Sequence, residues 1–274
     1  MFVTRFAPSP TGFLHRGHAL SALTAHAAAR AAGGRFLLRI EDIDASRCRP
    51  EYEAALLEDL AWLGVDWEEP VRRQSDHFND YQAALLRLEA DGLLYRCFRT
   101  RKEVEHTISA APHGEMEVFT GGSLTAGEEA RRLTAGEPFA WRLSLAAAAR
   151  KVGGFSRLTF ADDHTPTTAR PELGGDVVLA RKDVGIAYHL AVVVDDALQG
   201  ITHVIRGEDL RPATHVQRLL QALLGLPTPT YRHHPLLLDA EGRRLAKRND
   251  AETLRSLRER GMSAVNLRGE LGFD

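Results

Sequence analysis

The feature that most constrains this chain lies at its start. Phe2 to Phe6 is a short, apolar, partly β-branched run that reads as a strand, and Pro8, Ser9, Pro10, Thr11 and Gly12 break it. Gly17 to Ala32 is rich in alanine and closes at Gly33-Gly34, so it reads as a helix. Phe36 to Ile40 is a second apolar strand. Strand, glycine-bearing loop, helix and strand in that order open a parallel sheet with a right-handed crossover. Such sheets bind ligands at the carboxyl ends of their strands, which is where the loop from Pro8 to His18 falls. Gly17 lets a bound group approach the backbone, His15 and His18 offer ring donors, and the helix N-terminus adds partial positive charge. That combination suits phosphate.

The rest of the chain continues the pattern. Pro50 to Leu63 and Asp76 to Asp91 read as helices, each followed by glycine. Tyr95 to Glu172 is less regular, with a loop-like stretch from Ala110 to Thr125, a strand from Phe139 to Leu145 and an alanine run before Gly153-Gly154. Strands are expected at Val177 to Ala180, Leu190 to Asp195 and His203 to Arg206, a helix from His215 to Leu224, and a helical tail over Ala251 to Arg260. The expected fold class is α/β: a doubly wound, parallel, Rossmann-type sheet with an inserted α+β domain and a short helical C-terminal segment. The expected divisions are 1–94 and 176–240 for the two halves of the nucleotide-binding domain, 95–175 for the insertion, and 241–274 for the tail.

Composition narrows the partners. A formal net charge of −2 is not the basic balance of a dedicated nucleic-acid binder, so any RNA contact falls to local patches such as Arg142 to Arg157 and Arg243 to Arg260. The two cysteines, Cys48 and Cys97, do not make a disulfide framework. No stretch has the ~18–20 apolar residues of a membrane span or the core of a signal peptide, so a cytoplasmic protein with no membrane contact is expected.

A second motif lies far downstream, Arg244-Leu245-Ala246-Lys247-Arg248. A lysine there suits charge developing on a triphosphate. Together the two motifs resemble the paired signatures of class I aminoacyl-tRNA synthetases, His-Ile-Gly-His and Lys-Met-Ser-Lys-Ser. Thr4 to Gly12, Leu38 to Asp44, Asp59 to Gly64 and Ile205 to Leu210 look like glutamyl-tRNA synthetase in colinear order. The resemblance implies activation of L-glutamate with ATP to glutamyl-adenylate, with Mg2+ accompanying the nucleotide. It implies His15, His18 and Lys247 as catalytic residues, Gly17 with them at the ATP, and Arg5, Phe6, Ala7, Pro8, Ser9, Glu41, Tyr188 and Arg206 around the glutamate. The chemistry agrees, because two carboxylates and one ammonium call for arginines and one acid. Which arginine meets which carboxylate stays open.

The acceptor is read from length. The chain ends 27 residues after Lys247, where a full glutamyl-tRNA synthetase continues into an anticodon-binding region. It therefore resembles the shorter glutamyl-queuosine tRNA(Asp) synthetases. That implies tRNA-independent activation, then transfer to the queuosine wobble base, with the anticodon stem-loop of tRNA(Asp) as partner and a monomer as the acting species. The alternatives are a minimal glutamyl-tRNA synthetase charging a terminal adenosine, a small-molecule adenylyltransferase, and a non-catalytic tRNA-binding paralogue. Arg5, Glu41 and Arg206 argue against the second, and the presence of His15, His18 and Lys247 against the third.

The chain departs from the family pattern in places. Arg16 replaces an aliphatic residue, Arg244 the first lysine and Ala246 the serine of the second signature. Of the zinc ligands many relatives carry in the insertion, Cys97 alone is present, in Cys97-Phe98-Arg99, with Phe119 to Ser123 at the second position. One thiolate does not build a tetrahedral site, so zinc is not expected; His106 and His113 are the other candidate ligands.

Overall fold

The structure, a computed structural model, describes residues 1–100, 102–104, 118–181, 185–237 and 252–273. Strand β1 (Val3–Phe6) leads through helix α1 (Arg16–Ala31) to β2 (Arg35–Ile40), and α2 (Pro50–Trp62) leads to β3 (Glu68–Arg73). These three strands form a parallel sheet in the order β1-β2-β3. Helix α3 (Phe78–Ala90), preceded by a 3-10 turn over Gln74–His77, brings the chain to β4 (Leu94–Cys97). The intervening elements are α4 (Ala126–Thr134), β5 (Ala140–Leu143), α5 (Leu145–Val152), the hairpin of β6 (Thr159–Asp162) and β7 (Thr165–Thr168), β8 (Val178–Arg181) and β9 (Gly185–Ile186). Helix α6 (Tyr188–Leu198), β10 (His203–Gly207), α7 (Arg211–Leu224) and β11 (Thr230–His234) follow, and α8 (Leu254–Glu259) and α9 (Ala264–Glu270) end the chain.

Strands β10, β11 and β6 run parallel, with β7 antiparallel at the edge. Thr202 ties this sheet to the first one: its N–H donates to the Val3 carbonyl at 3.0 Å, and the Val3 N–H donates to its hydroxyl at 2.8 Å. Strand β10 therefore lies beside β1. The third sheet is antiparallel, β4-β5-β8-β9, so its strands come from both sides of residues 95 and 175, while the β6-β7 hairpin pairs with β11.

Leu190 to Asp195 is helix, not strand. The run Leu-Ala-Val-Val-Val-Asp has the β-branched composition of a buried strand, but α6 is enclosed on nearly every side, so all its residues from Leu190 to Asp196 are buried. A helix apolar all round carries no 3.6-residue signal. The alanine run is α5, capped by the Ser144 hydroxyl and closed by Gly153 in the left-handed conformation. In the tail α8 begins at Leu254, capped by Thr253, and a second helix, α9, follows with Ser263 as its cap. Helix α4, capped by Thr125, is a further element the sequence pattern did not mark; the first half of Ala110 to Thr125 lies outside the described residues.

Two cores result. One packs Tyr81, Leu88, Leu190, Val193, Leu219 and Leu220 between α3, α6 and α7. The other packs Leu14, Leu23, Leu38, Ile40 and Leu60 together with Leu254, Leu257 and Leu267 from the tail. The C-terminal segment thus closes the core beneath the first sheet. No helix among the described residues is long and apolar enough to cross a membrane.

Candidate active site

A cavity of about 400 Å³ opens at the carboxyl ends of β1, β2 and β10. Arg5, Phe6, Ala7 and Ser9 line it from β1 and its loop, Glu41 from the end of β2, and Arg206 from β10. His15, Gly17 and His18 enter from the start of α1, and Tyr188 from the first turn of α6. The structure thus gathers ten of the expected residues around one space. Pro8 is not in the wall; its carbonyl accepts the Glu41 N–H at 3.0 Å and so joins the two loops. Lys247, with Arg244 and Ala246, lies outside the described residues. The flanks of that segment are placed: Leu237 is part of the cavity wall, and Thr253 pairs with the backbone of His15.

The two histidines form the N-terminus of α1. His15 is the N-cap, its Nδ1 accepting the Gly17 N–H at 3.1 Å, while His18 Nδ1 accepts the His15 N–H at 3.2 Å. Ring centroids are 3.9 Å apart. With Nδ1 used as an acceptor in each, the neutral rings carry their protons on Nε2 and are donors there. A Cβ on Gly17 would stand 3.0 Å from His15 Cε1, so glycine is what lets the ring fold back over the cap.

The two arginines differ in their company. The Arg5 guanidinium meets Asp196 through two hydrogen bonds, 2.9 Å from Nε and 3.2 Å from a terminal nitrogen. Arg206 is equally buried, and among the described residues its partners carry no negative charge: the hydroxyls of Thr214 at 2.7 Å and Tyr188 at 3.3 Å, and the side-chain carbonyl of Gln217 at 2.9 Å. Its guanidinium carbon lies 5.4 Å from the centre of the Tyr231 ring. Burial, with the Arg206 charge, pushes His233 down to about 3 and His189 to about 4, so both are neutral at physiological pH. A buried cation without a counter-ion is costly, and a site that keeps one is built to receive an anion.

Beneath the cavity, three neighbouring strands each send one arginine onto α6. Arg5 from β1 and Arg39 from β2 reach Asp196; Arg72 from β3 reaches Asp195 at 2.6 Å. Arg39, fully enclosed, also donates to Glu41 at 3.2 Å and Gln199 at 3.0 Å. Gln74 and Tyr81 complete the shell of Asp195 at 2.7 and 2.9 Å. Burial pushes Glu41 upward against the pull of Arg39 and Arg5, whereas at Asp196 the two arginines outweigh burial and hold it below the ordinary range. Sequence reading missed this network, and with it Ser21, Asp209, His234, Leu236 and Leu237 of the cavity wall. Ser21 and His234 meet at 2.9 Å across the junction of α1 and β11.

In the antiparallel sheet, Cys97 is buried with Tyr95, Val104 and Phe119. Asp176 joins that region: its carboxylate accepts from the Tyr95 hydroxyl, the Gly121 N–H and the Leu145 N–H, each at 2.9 Å. Among the described residues no three His, Cys, Asp or Glu side chains are grouped to hold a metal. His106 and His113 lie outside them.

Residues 1–268 match the model of the family described as tRNA synthetases class I (E and Q), catalytic domain. A glutamyl-Q tRNA(Asp) synthetase of Rhodobacter capsulatus is 48% identical over 279 residues, spanning 99% of this chain and 100% of that protein. A glutamate–tRNA ligase of Aquifex aeolicus is 41% identical over 94% of this chain, which spans 54% of that protein. The crystal structure of a glutamate tRNA ligase from Elizabethkingia meningosepticum in complex with its amino acid superposes with a TM-score of 0.75 at 30% identity, over 90% of this chain and 52% of that one. A parallel sheet with its cavity at the first strand's carboxyl end, and a family match that runs through nearly all of the sequence, make the chain a member of the class I tRNA synthetase (E and Q) catalytic-domain family.

Proposed function

We propose that this chain activates L-glutamate with ATP, without tRNA, and then transfers the glutamate to the queuosine wobble base of tRNA(Asp). The observation that carries the first half is Arg206, a buried guanidinium whose partners among the described residues are all neutral, facing the same cavity as Glu41. The side-chain carboxylate of glutamate supplies the missing counter-ion, and the Tyr188 hydroxyl shares that end. Glu41 takes the ammonium. Arg5, already neutralised by Asp196, offers its remaining N–H edge to the α-carboxylate.

ATP lies toward His15, Gly17 and His18, whose Nε2 donors and helix N-terminus meet the phosphates. Mg2+ belongs to this substrate, its ligands phosphate oxygens and water, as suits a reluctantly dehydrated ion near few protein carboxylates. The glutamate α-carboxylate attacks the α-phosphorus in line and pyrophosphate leaves; a queuosine ring hydroxyl then attacks the adenylate carbonyl and AMP leaves. Positioning and charge stabilisation do the work, with no covalent enzyme intermediate. Lys247 meets the triphosphate from a segment whose flanks, Leu237 and Thr253, stand at the cavity and at His15.

For the acceptor, support comes from the 48% identity spanning the whole length of the Rhodobacter capsulatus protein of that activity. Glutamate transfer onto tRNA(Asp) with and without queuosine, beside tRNA(Glu), tests it. Labelling of queuosine-bearing tRNA(Asp) alone, surviving removal of the terminal adenosine, is expected. Labelling of tRNA(Glu) at that adenosine would instead make the chain a minimal glutamyl-tRNA synthetase.

A further inference from the structure

The pocket has two arginines, but only one of them has a charge left to spend, and Asp196 decides which. Its carboxylate takes Nε and one terminal nitrogen of Arg5, and it also takes Arg39 at 2.7 Å. Arg39 in turn reaches Glu41, so the acid that lines the cavity and the acid that does not are joined through one enclosed guanidinium. Three cations (Arg5, Arg39, Arg72) are paired in this layer with Glu41, Asp195 and Asp196 and, at the outer end of Arg72, with Asp80, whereas Arg206 has none of these acids as a partner. Among the described residues of the cavity wall, a ligand meets Arg206 as the arginine without an acidic partner, and carboxylates at Glu41 and Asp209.

We propose that Asp196 is the positioning residue that sets ligand selectivity in this pocket, by cancelling the charge of Arg5 so that a free ammonium group is tolerated beside two carboxylates. The inference rests on the reading of the cavity as a glutamate site and deepens it. Without the Asp196 charge, Arg5 becomes a second cation without an acidic partner in the same cavity wall as Glu41, where the ammonium is placed. The ammonium is then repelled, while carboxylates are attracted more strongly; from a guanidinium as buried as Arg5 one such charge shifts relative affinity substantially. Glutarate, which has both carboxylates of glutamate and no amine, reads this out.

The experiment measures competition between glutamate and glutarate in ATP–pyrophosphate exchange, using the full chain. Asp196→Asn, isosteric and still able to accept from Arg39, is expected to shift the glutamate-to-glutarate affinity ratio toward glutarate by about tenfold, or ~1.4 kcal/mol. Arg5→Gln removes the opposite charge and is expected to shift the ratio toward glutamate. The double variant restores the charge balance, and its ratio returns to within about threefold of the parent. Asp195→Asn is the comparison, because Asp195 is an equally buried acid in the same network that does not touch Arg5. It lowers the melting temperature but leaves the ratio alone, which a merely structural role for Asp196 would also do. Should Asp196→Asn fail to fold, the sign of the Arg5→Gln shift carries the test. A ratio unmoved in the Arg5 and Asp196 variants, or moved alike by Asp195→Asn, overturns the inference. A parent protein that shows no glutamate-dependent exchange overturns the glutamate reading itself.

Discussion

The backbone of Thr253 pairs with that of His15 in a single antiparallel bridge, and the Leu254 N–H donates to the Leu14 carbonyl at 2.8 Å. The tail therefore holds the loop that presents the histidines. Leu254 and Leu257, just beyond, are fully buried in the core under the first sheet. Leu254→Ala is expected to cost roughly 2–4 kcal/mol of stability from lost burial and the cavity left behind. Because the same residue anchors the bridge, KM for ATP should rise more than KM for glutamate. Denaturant melts and substrate titrations of exchange check both.

Gly17→Ala separates chemistry from stability. Alanine in a helix is worth up to about 1 kcal/mol over glycine, which roughly offsets the ~1 kcal/mol of a lost cap, so the melting temperature should change little. The new methyl group would press on the His15 ring at 3.0 Å and displace it from its cap. Exchange activity should fall by about tenfold or more, the usual scale for a small misplacement of a positioning group.

Arg206→Gln removes the uncompensated cation while leaving an amide to meet Gln217 or Thr214. Glutamate binding by calorimetry is expected to weaken by at least about a hundredfold, the scale of one buried charged contact. The melting temperature should move by only a few degrees, since the charge removed had no counter-ion.

Asp59 gives the fold a pH dependence. It is fully buried on α2, with Arg258 of the tail 3.1 Å away, and neither carboxylate oxygen makes a hydrogen bond. Burial pushes it up to about 6 despite Arg258. The folded state then binds this proton more tightly than the unfolded chain, whose aspartates titrate near about 4. Stability from this group is full at low pH and declines as pH rises from about 4 through 6. Asp59→Asn should raise the melting temperature at pH 7.5 and give little gain at pH 4.5; thermal melts across that range check the crossover.

Much of the site was legible because its residues sit in short local patterns. His15, Gly17 and His18 fall within four consecutive positions between a strand and a helix, and Arg206 lies near the end of a strand. The Arg5–Asp196 pair was not legible, since 191 residues separate its members and Asp196 directly follows a run, Leu190 to Asp195, that reads as strand. Helix α6 escaped for a related reason: valines buried on all sides carry the composition of a strand and none of the periodicity of a helix. The place of β6-β7 in the parallel sheet depends on pairing with β11, a long-range choice that no local signal encodes.

The most direct measurement is amino-acid-dependent ATP–pyrophosphate exchange by the purified chain in the absence of any RNA. Exchange with L-glutamate, weak or absent with glutamine and aspartate, is the expected result. Exchange that appears only when tRNA is added, or that glutamine supports as well as glutamate, would contradict tRNA-independent activation in a pocket built around the uncompensated charge of Arg206.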